Sequence, residues 1–218
     1  MKRQGFLITL MVLLLLCSGV VLTYAQELSE IKLPAPRLDR GKPLMQALNE
    51  RQSQREFSNK ELPIEVLSDL LWAADGINRP DSGKRTAPSA VNWQNIDIYV
   101  AMAKGIYLYN YKAHSLKPVM AKDIRAASGI QNFVKEVPVN LIYVADYSKI
   151  ARGDDQQKLF YSAAHTGFIS QNVYLYCASE GLATVVRGAI DKEALAKTMK
   201  LRPDQKVMLA QSVGYPKK

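Results

Sequence analysis

Two guanidinium groups and a hydroxyl alternate along the segment Arg51-Gln52-Ser53-Gln54-Arg55. In an extended or turning backbone, alternate side chains point in the same direction. Arginine forms bidentate hydrogen bonds with phosphate oxygens, and a hydroxyl can bond to an oxygen that remains. The spacing therefore indicates a site for a phosphate monoester. A solvated surface loop is the alternative for this segment when it is taken alone.

A second candidate site lies where a helix is expected to give way to a strand. Glu180-Gly181 follows an apolar segment that contains no proline, and the β-branched run Thr184-Val185-Val186 comes shortly after. A glycine commonly ends a helix, and the junction leaves backbone N–H and C=O groups without helical partners. Such groups can bond to the edge of a planar heterocycle.

The segment that leads to Gly181 predicts one long helix. Asp154 and Gln157 have the spacing of a capping box, and a helix from there to Gly181 is roughly 35 to 40 Å long at 1.5 Å per residue. Its large apolar residues cannot share one face, which predicts a fully buried helix. These residues are Leu159, Phe160, Phe168, Ile169, Val173, Leu175 and Tyr176.

We expect part of this helix to pack on another subunit, because it is longer than one small domain needs to cross its own core. Ala163, Gly167 and Ser170 form a row of small residues at helical spacing, which would let a second backbone approach closely. A core helix that avoids crowding is the alternative interpretation of this row.

The rest of the chain predicts further helices and a set of strands. Pro43 begins a short helix with Leu44, Ala47 and Leu48 on one face, and Pro63 begins a second helix that ends near residue 76. Alternation predicts strands over 96–100, 105–110, 116–119, 137–146 and 206–213. Residues 77–86 are interpreted as a polar loop, and a helix is expected from 192 to about 201. His114 is expected in a surface turn, and His165 in the core or an interface.

Three motifs, in this order, resemble the nitroreductase family of FMN-dependent oxidoreductases. Residues 51–57, RQSQREF, resemble its signature R-[RHQ]-S-x-[RK]-x-[FY], and residues 87–94, APSAVNWQ, resemble [AS]-P-S-x-x-N-x-Q. Residues 167–191 resemble its long central helix, which ends in E-G-[LFI]. The resemblance implies an α+β, nitroreductase-like fold with a central, mostly antiparallel sheet flanked by helices. It also implies that the long helix lies at a homodimer interface.

The resemblance further implies FMN as the cofactor and a set of residues around its phosphate. Arg51, Gln52, Ser53 and Arg55 match the positions that bind the phosphate and ribityl chain in the family. Many relatives also offer basic residues to the phosphate after a G-[YH]-P sequence near the C-terminus. Lys217 follows such a sequence in this chain and is the implied counterpart, with Lys218 as the alternative.

A second set of residues is implied for the flavin ring. Pro88, Ser89 and Asn92 match positions that approach the ring and ribityl chain, and Asn92 can both donate and accept hydrogen bonds there. The backbone at Glu180 and Gly181 matches the part of the family that faces N5 of the flavin.

The implied function is electron transfer between a reduced donor such as NAD(P)H and a small organic acceptor, nitroaromatic or quinone-like. No catalytic side chain and no metal ligand is implied. The hairpin over 105–119 resembles the SagB-type branch, whose dehydrogenases oxidise azoline rings in peptide maturation. A dehydrogenase of that type is one alternative, and a non-enzymatic secreted protein that binds an anionic partner is another. Asn95-Ile96 stands where Pro-Trp is usual in the family, so the substrate side departs from its pattern.

The N-terminus predicts export. Residues 1–25 combine Lys2-Arg3, a long apolar run and a small-residue ending, which is typical of a secretory signal peptide. An uncleaved membrane anchor is one alternative, and lipidation at Cys17 is another, although Leu16 fits a lipoprotein cleavage site poorly. We therefore expect a periplasmic or extracellular protein that meets the membrane only through its export signal. Residues 26–42 are interpreted as a linker or N-terminal arm, and 43–218 as one FMN-binding domain.

The formal net charge of +9 favours anionic ligands. Nucleic acid is not expected, because no basic run interleaved with aromatic residues and no known reader motif is present. The sequence contains 2 cysteines, and cleavage of the signal would leave Cys177 alone. An intramolecular disulfide is therefore excluded in the mature chain.

Overall fold

A computed structural model describes residues 28–217 of the chain. The signal peptide predicted over 1–25 and the residue Lys218 lie outside the described part. Among residues 28–217, no helix combines the length and the apolar character that a membrane span requires.

Four α-helices and nine strands make up the described chain. The helices are α1 (Leu44–Glu50), α2 (Ile64–Asp75), α3 (Asp155–Glu180) and α4 (Lys192–Thr198). The longer strands are β4 (Ile96–Met102), β5 (Gly105–Asn110), β6 (Ser115–Met120), β7 (Val139–Asp146), β8 (Ala183–Arg187) and β9 (Gln205–Gly214). The short strands are β1 (Ile31–Lys32), β2 (Ile77–Arg79) and β3 (Lys84–Arg85).

Seven of these strands form one sheet in the order β1-β6-β5-β4-β7-β9-β8, and every neighbouring pair is antiparallel. Strands β2 and β3 form a separate hairpin. The predicted α+β fold with a mostly antiparallel central sheet is therefore confirmed. The polar loop predicted over 77–86 contains this small hairpin. The arm predicted over 26–42 contributes β1 to the edge of the main sheet.

Residue alternation along the strands builds a core on each face of the sheet. Ile98 and Leu141 face the layer formed by α2 and α3, together with Leu70 and Val173. Tyr99 and Ile142, one position further along the strands, face α4 on the opposite side. Both faces of the central strands are buried, so β7 is buried along its whole length.

Helix α3 begins and ends as the sequence predicts. The Asp154 side chain accepts a hydrogen bond from the Gln157 backbone N–H, and the Gln157 side-chain oxygen accepts one from the Asp154 backbone N–H, which completes the capping box. Gly181 ends the helix with φ of 69°, in the left-handed region that glycine adopts at low cost.

The prediction that α3 is fully buried is wrong for the single chain. Leu159, Phe160 and Phe168 remain 53%, 66% and 46% exposed, because neither the sheet nor α2 reaches the outer side of the helix. The row of small residues is also split. Gly167 is open on that outer side, whereas Ser170 is buried and donates to the carbonyl of Gly167.

Two further expectations are corrected by the packing. On α1 only Ala47 is buried, while Leu44 and Leu48 remain exposed. His114 lies in the β5–β6 turn as expected, but its ring is only partly exposed. The imidazole is hydrogen-bonded to the hydroxyls of Ser68 and Tyr109, and burial lowers its pKa.

Candidate functional site

The C-terminal end of α3 is the centre of the candidate site. The left-handed turn at Gly181 directs the chain from the helix into β8, and a side chain at this position would meet no atom within 4 Å. The backbone is therefore accessible on that side. Cys177, one turn earlier, is fully buried, and burial raises the pKa of its thiol well above the usual range. A thiol in that state does not act as a nucleophile.

The arginine-rich segment lies beside this helix end. The Gln54 backbone N–H donates to the carbonyl of Thr184 at 2.9 Å, which attaches the segment to the start of β8. Further on, the Ser58 N–H donates to Tyr215 and the Lys217 N–H donates to Glu56. These backbone bonds fix the segment against two chain elements that are distant in sequence.

Tyr174 organises the side chains of this segment. Its ring lies beneath the Arg51 guanidinium, 5.3 Å from the centroid, and its hydroxyl is 2.8 Å from the Ser53 hydroxyl. The same Tyr174 oxygen accepts from the Val186 N–H at 2.9 Å. Because that oxygen already accepts from the backbone, its own proton is available for Ser53.

Lys42 adds a cation at the same place. Its backbone N–H donates to the Ser179 hydroxyl at 2.7 Å, and its ammonium lies 3.3 Å from the carbonyl of Ala178. A cation is favourable at a helix C-terminus because the last carbonyls carry partial negative charge. The ammonium also pairs with Glu50 at 2.5 Å, across the exposed mouth of the site.

These elements enclose a cavity of about 360 Å³. Three residues predicted from the sequence line it together: Arg51, Gln52 and Gly181. Ser53 does not line the cavity but contacts Tyr174, which does. Arg55 is exposed and does not line the cavity. Within residues 28–217, neither arginine is paired with a carboxylate. The guanidinium of Arg51 is therefore available to an anionic ligand.

The other predicted loop lies elsewhere in the same chain. The backbone N–H of Ala90 donates to His165 in the first half of α3, and Pro88 and Ser89 line a small cavity beside that histidine. His165 precedes Gly181 by 16 residues, or about 24 Å along the helix at 1.5 Å per residue. One chain therefore does not bring Pro88, Ser89 and Asn92 to the cavity that Arg51 lines.

Lys217 lines a wider groove of about 1610 Å³ that runs past the ends of β4, β7 and β9. Gly181 and Pro216 line both this groove and the smaller cavity. Lys217 is thus adjacent to the Arg51 cavity but does not line it in this conformation.

The profile of the Nitroreductase family matches residues 48–215. The chain belongs to the nitroreductase family. It is also 30% identical over 169 residues to a Methanocaldococcus jannaschii protein assigned as a nitroreductase, with 73% of this chain and 85% of that protein covered.

Solved structures of nitroreductases show the same fold. One from Ralstonia eutropha has 41% sequence identity and a TM-score of 0.84, and the match covers 88% of this chain and 91% of the other. A Desulfovibrio desulfuricans nitroreductase in complex with FMN has 22% identity and a TM-score of 0.60, and the match covers 81% and 88% of the two chains. The nitroreductase-like α+β fold is therefore established, and Arg51 and Gly181 lie inside the region that the family profile matches.

The cavity fits the phosphate end of a nitroreductase flavin. The donors there are a guanidinium, an ammonium and an amide, which is the set that phosphate oxygens prefer. The open backbone at Gly181 lies beside them. Two of the contributing residues, Lys42 and Tyr174, were not predicted from the sequence. Lys42 lies in the segment interpreted as an arm, and the only signal for Tyr174 is a hydroxyl within an apolar helix.

Proposed function

We propose that this protein is an FMN-dependent oxidoreductase that passes electrons from a reduced donor such as NAD(P)H to a small organic acceptor, nitroaromatic or quinone-like. The observation that carries the proposal is the cavity that the Arg51 guanidinium lines together with the open backbone of Gly181. FMN supplies the hydride and electron transfer when it is bound, and the protein supplies its binding and orientation.

Each residue of the cavity has a role that follows from its chemistry. Arg51 would hold the phosphate through a bidentate contact, and Lys42, whose ammonium pairs with Glu50, would add positive charge beside it. Ser53 and Gln52 offer polar groups to the phosphate and ribityl chain. The backbone at Glu180 and Gly181 bonds to the edge of the ring, because no side chain at Gly181 blocks its approach.

The proposal includes a homodimer in which each site is completed by the second copy. Pro88 and Ser89 lie beside His165, which is about 24 Å along α3 from Gly181 in the same chain, so they and Asn92 would reach a flavin only from the partner. The exposed apolar residues Phe160 and Phe168 supply the surface for that contact. Helix α1 packs on α3 and adds three more exposed apolar side chains: Leu44, Met45 and Leu48.

We also propose that the domain acts outside the cytoplasm after export directed by residues 1–25. The support is the composition of that segment in the sequence. The mass of the protein recovered from its natural host tests this proposal. We expect the mass of a chain that begins at Gln26. The mass of a chain that retains residues 1–25 would favour an uncleaved membrane anchor.

The main test is a flavin titration followed by kinetics. We expect the purified protein to carry or take up one FMN per chain, seen as flavin absorbance and quenched flavin fluorescence. Steady-state rates with NADH or NADPH and a nitroaromatic or quinone acceptor should give parallel double-reciprocal lines, because donor and acceptor use the same exposed flavin face in turn. A chain that binds no FMN would overturn the proposal and favour a non-enzymatic role. A chain that binds FMN but oxidises an azoline peptide would favour the dehydrogenase alternative.

A further inference from the structure

The loop that carries Asn92 has a strained backbone. Val91, Asn92 and Gln94 have φ values of 51°, 55° and 48°, which non-glycine residues rarely adopt. Such backbone positions are unfavourable and persist only where the surroundings enforce them. The strain is least expected at Val91, which is β-branched, and its side chain is 67% exposed. Contacts elsewhere must therefore hold the loop.

His165 holds both ends of this loop. Its Nε2 accepts from the Ala90 N–H at 2.7 Å, so the proton of the neutral ring is on Nδ1. Nδ1 then donates to the Asn95 side-chain oxygen, also at 2.7 Å, and the Asn95 amide donates to the Ser162 hydroxyl at 2.8 Å. The imidazole is 2% exposed. It thus ties Ala90, before the strained residues, and Asn95, after them, to one point on α3.

The bonds inside the loop depend on these anchors. The Ser89 hydroxyl accepts from the Gln94 N–H at 3.1 Å, and the Gln94 amide donates to the Asn92 side-chain oxygen at 3.0 Å and to the Gly83 carbonyl at 2.9 Å. The orientation of Asn92 is therefore set through Gln94. If the anchors at Ala90 and Asn95 were lost, the left-handed residues would relax.

We infer that His165 is a positioning residue, which holds the 89–94 loop in the conformation that presents Asn92 to the flavin of the partner subunit. The inference rests on the proposed function. In this arrangement α3 has two roles. Its outer side contacts the partner subunit, and His165 on the same helix fixes the loop that contacts the partner's cofactor. His165 itself touches neither the cofactor nor a substrate.

The arrangement requires a neutral imidazole. Protonation would place a hydrogen on Nε2, opposite the Ala90 N–H, and remove the acceptor. The neighbouring side chains are Asn95 and Ser162, the Tyr161 ring at 6.3 Å, and Asp75, which lines the same small cavity. Burial lowers the pKa of His165 below its usual 6.5. The stabilisation is therefore complete above about pH 6.5 and is lost as the pH falls through the lower pKa of the folded state.

The first experiment needs no flavin. Hydrogen exchange of the Ala90 amide is measured at pH 7.5 in the wild type, His165→Phe and His165→Gln. Phenylalanine fills the space without an acceptor, whereas the glutamine oxygen can take the place of Nε2. We expect exchange to be about tenfold faster in His165→Phe and close to wild type in His165→Gln, as the loss of one buried hydrogen bond implies. Equal exchange in all three proteins would overturn the inference.

The second experiment measures FMN affinity between pH 5 and 8. The wild-type Kd should rise as the pH falls through the lowered pKa of His165. His165→Phe should bind FMN about tenfold more weakly at pH 7.5, and His165→Gln should restore affinity without this pH step. Asp75 is still present in the glutamine variant, and burial raises the pKa of its carboxyl to about 7. A pH dependence of Kd that remains in His165→Gln would therefore report the titration of Asp75. If both variants lost FMN affinity equally while exchange of the Ala90 amide stayed unchanged, His165 would have only a packing role, and the inference would be overturned. Absence of FMN binding by the wild type would instead overturn the proposed function, and the exchange comparison would still decide whether His165 holds the loop.

Discussion

The Arg51 guanidinium lies over the ring of Tyr174, with 5.3 Å between the guanidinium carbon and the ring centroid. The Tyr174 hydroxyl contacts Ser53 and accepts from the backbone of Val186. One side chain of α3 therefore places two members of the arginine-rich segment relative to the start of β8. The proposed phosphate site is therefore positioned by the same helix whose C-terminal end lines the cavity.

Removing the Tyr174 hydroxyl should loosen this arrangement. Tyr174→Phe keeps the ring beneath Arg51 but leaves Ser53 and the Val186 N–H without that partner. We expect the free energy of unfolding to fall by about 1 to 2 kcal/mol, since each net hydrogen bond contributes about 0.5 to 1.5 kcal/mol. The FMN Kd should rise several-fold because Ser53 is released. Chemical denaturation and fluorescence titration give the two values.

Tyr111→Phe is the matched control for this change. The Tyr111 ring also lies beneath an arginine, Arg85, at 3.3 Å from its centroid. Its hydroxyl makes no hydrogen bond within the described residues, so the control should leave both values close to wild type. Equal effects of the two substitutions would mean that the hydroxyl of Tyr174 has no special role.

Arg51 should contribute most to flavin affinity through its bidentate contact. We expect Arg51→Ala to weaken FMN binding by about 1.5 to 3 kcal/mol, or roughly 10- to 150-fold in Kd. Arg51→Lys should recover only part of the loss, because an ammonium keeps the charge but not the fork geometry. Arg152→Ala removes an exposed cation outside the cavity and is the control. If the Arg51 and Arg152 variants bound FMN equally well, the phosphate assignment would be wrong.

Local sequence signals were sufficient for much of the fold. The capping box at Asp154 and the stop at Gly181 predicted α3, and alternation predicted the strands, because these features depend on neighbours in sequence. Burial was predicted less well. The exposure of Phe160 and Phe168 depends on which elements cover the helix, and no local pattern contains that information.

The candidate site, like the fold, was predicted only in part from the sequence. Arg51 and Gly181 were predicted from motifs and do line one cavity. Lys42 was missed because its position depends on a contact with Ser179, 137 residues away. The 88–92 loop was predicted as part of the same site, yet in one chain it lies beside His165. The sequence motif could not predict this placement, because the position of the loop depends on contacts with α3 that are distant in sequence.

Gly129 should be intolerant of any side chain because of a buried arginine. A Cβ at this position would overlap Arg187, which is 4% exposed and bonds to neutral partners only, Ser128 and Asn140, among the described residues. Burial lowers the pKa of Arg187 to about 10, so it remains charged at neutral pH. We expect Gly129→Ala to lower the free energy of unfolding by about 1 to 3 kcal/mol through overpacking.

A double-mutant cycle identifies the cause. Arg187→Met frees the space that the new methyl group needs, so Gly129→Ala should cost less in that background than in the wild type. Gly188→Ala is the control, since its Cβ would meet Leu209 at an ordinary 3.6 Å. Denaturant unfolding measures all of these proteins. Equal costs of Gly129→Ala in both backgrounds would show that Arg187 is not the obstacle.

The last prediction concerns the outer side of α3. A substitution at Gly167 should affect assembly of the dimer without affecting folding of the single chain. A Cβ at Gly167 meets nothing within 4 Å in the single chain, and leucine is a much better helix former than glycine, which costs about 0.8 to 1 kcal/mol relative to alanine. Gly167→Leu should therefore fold at least as stably as the wild-type monomer.

If the partner packs on Gly167, the added side chain should overpack the contact and weaken the dimer by about 1 to 3 kcal/mol. FMN should then dissociate on dilution, because a ligand bound only by the dimer is linked to assembly. Ala194→Leu, on exposed α4 across the sheet, is the control and should change neither property. Analytical ultracentrifugation with flavin absorbance followed across concentration makes the measurement. A Gly167→Leu monomer that sediments with FMN fully bound would refute the shared site.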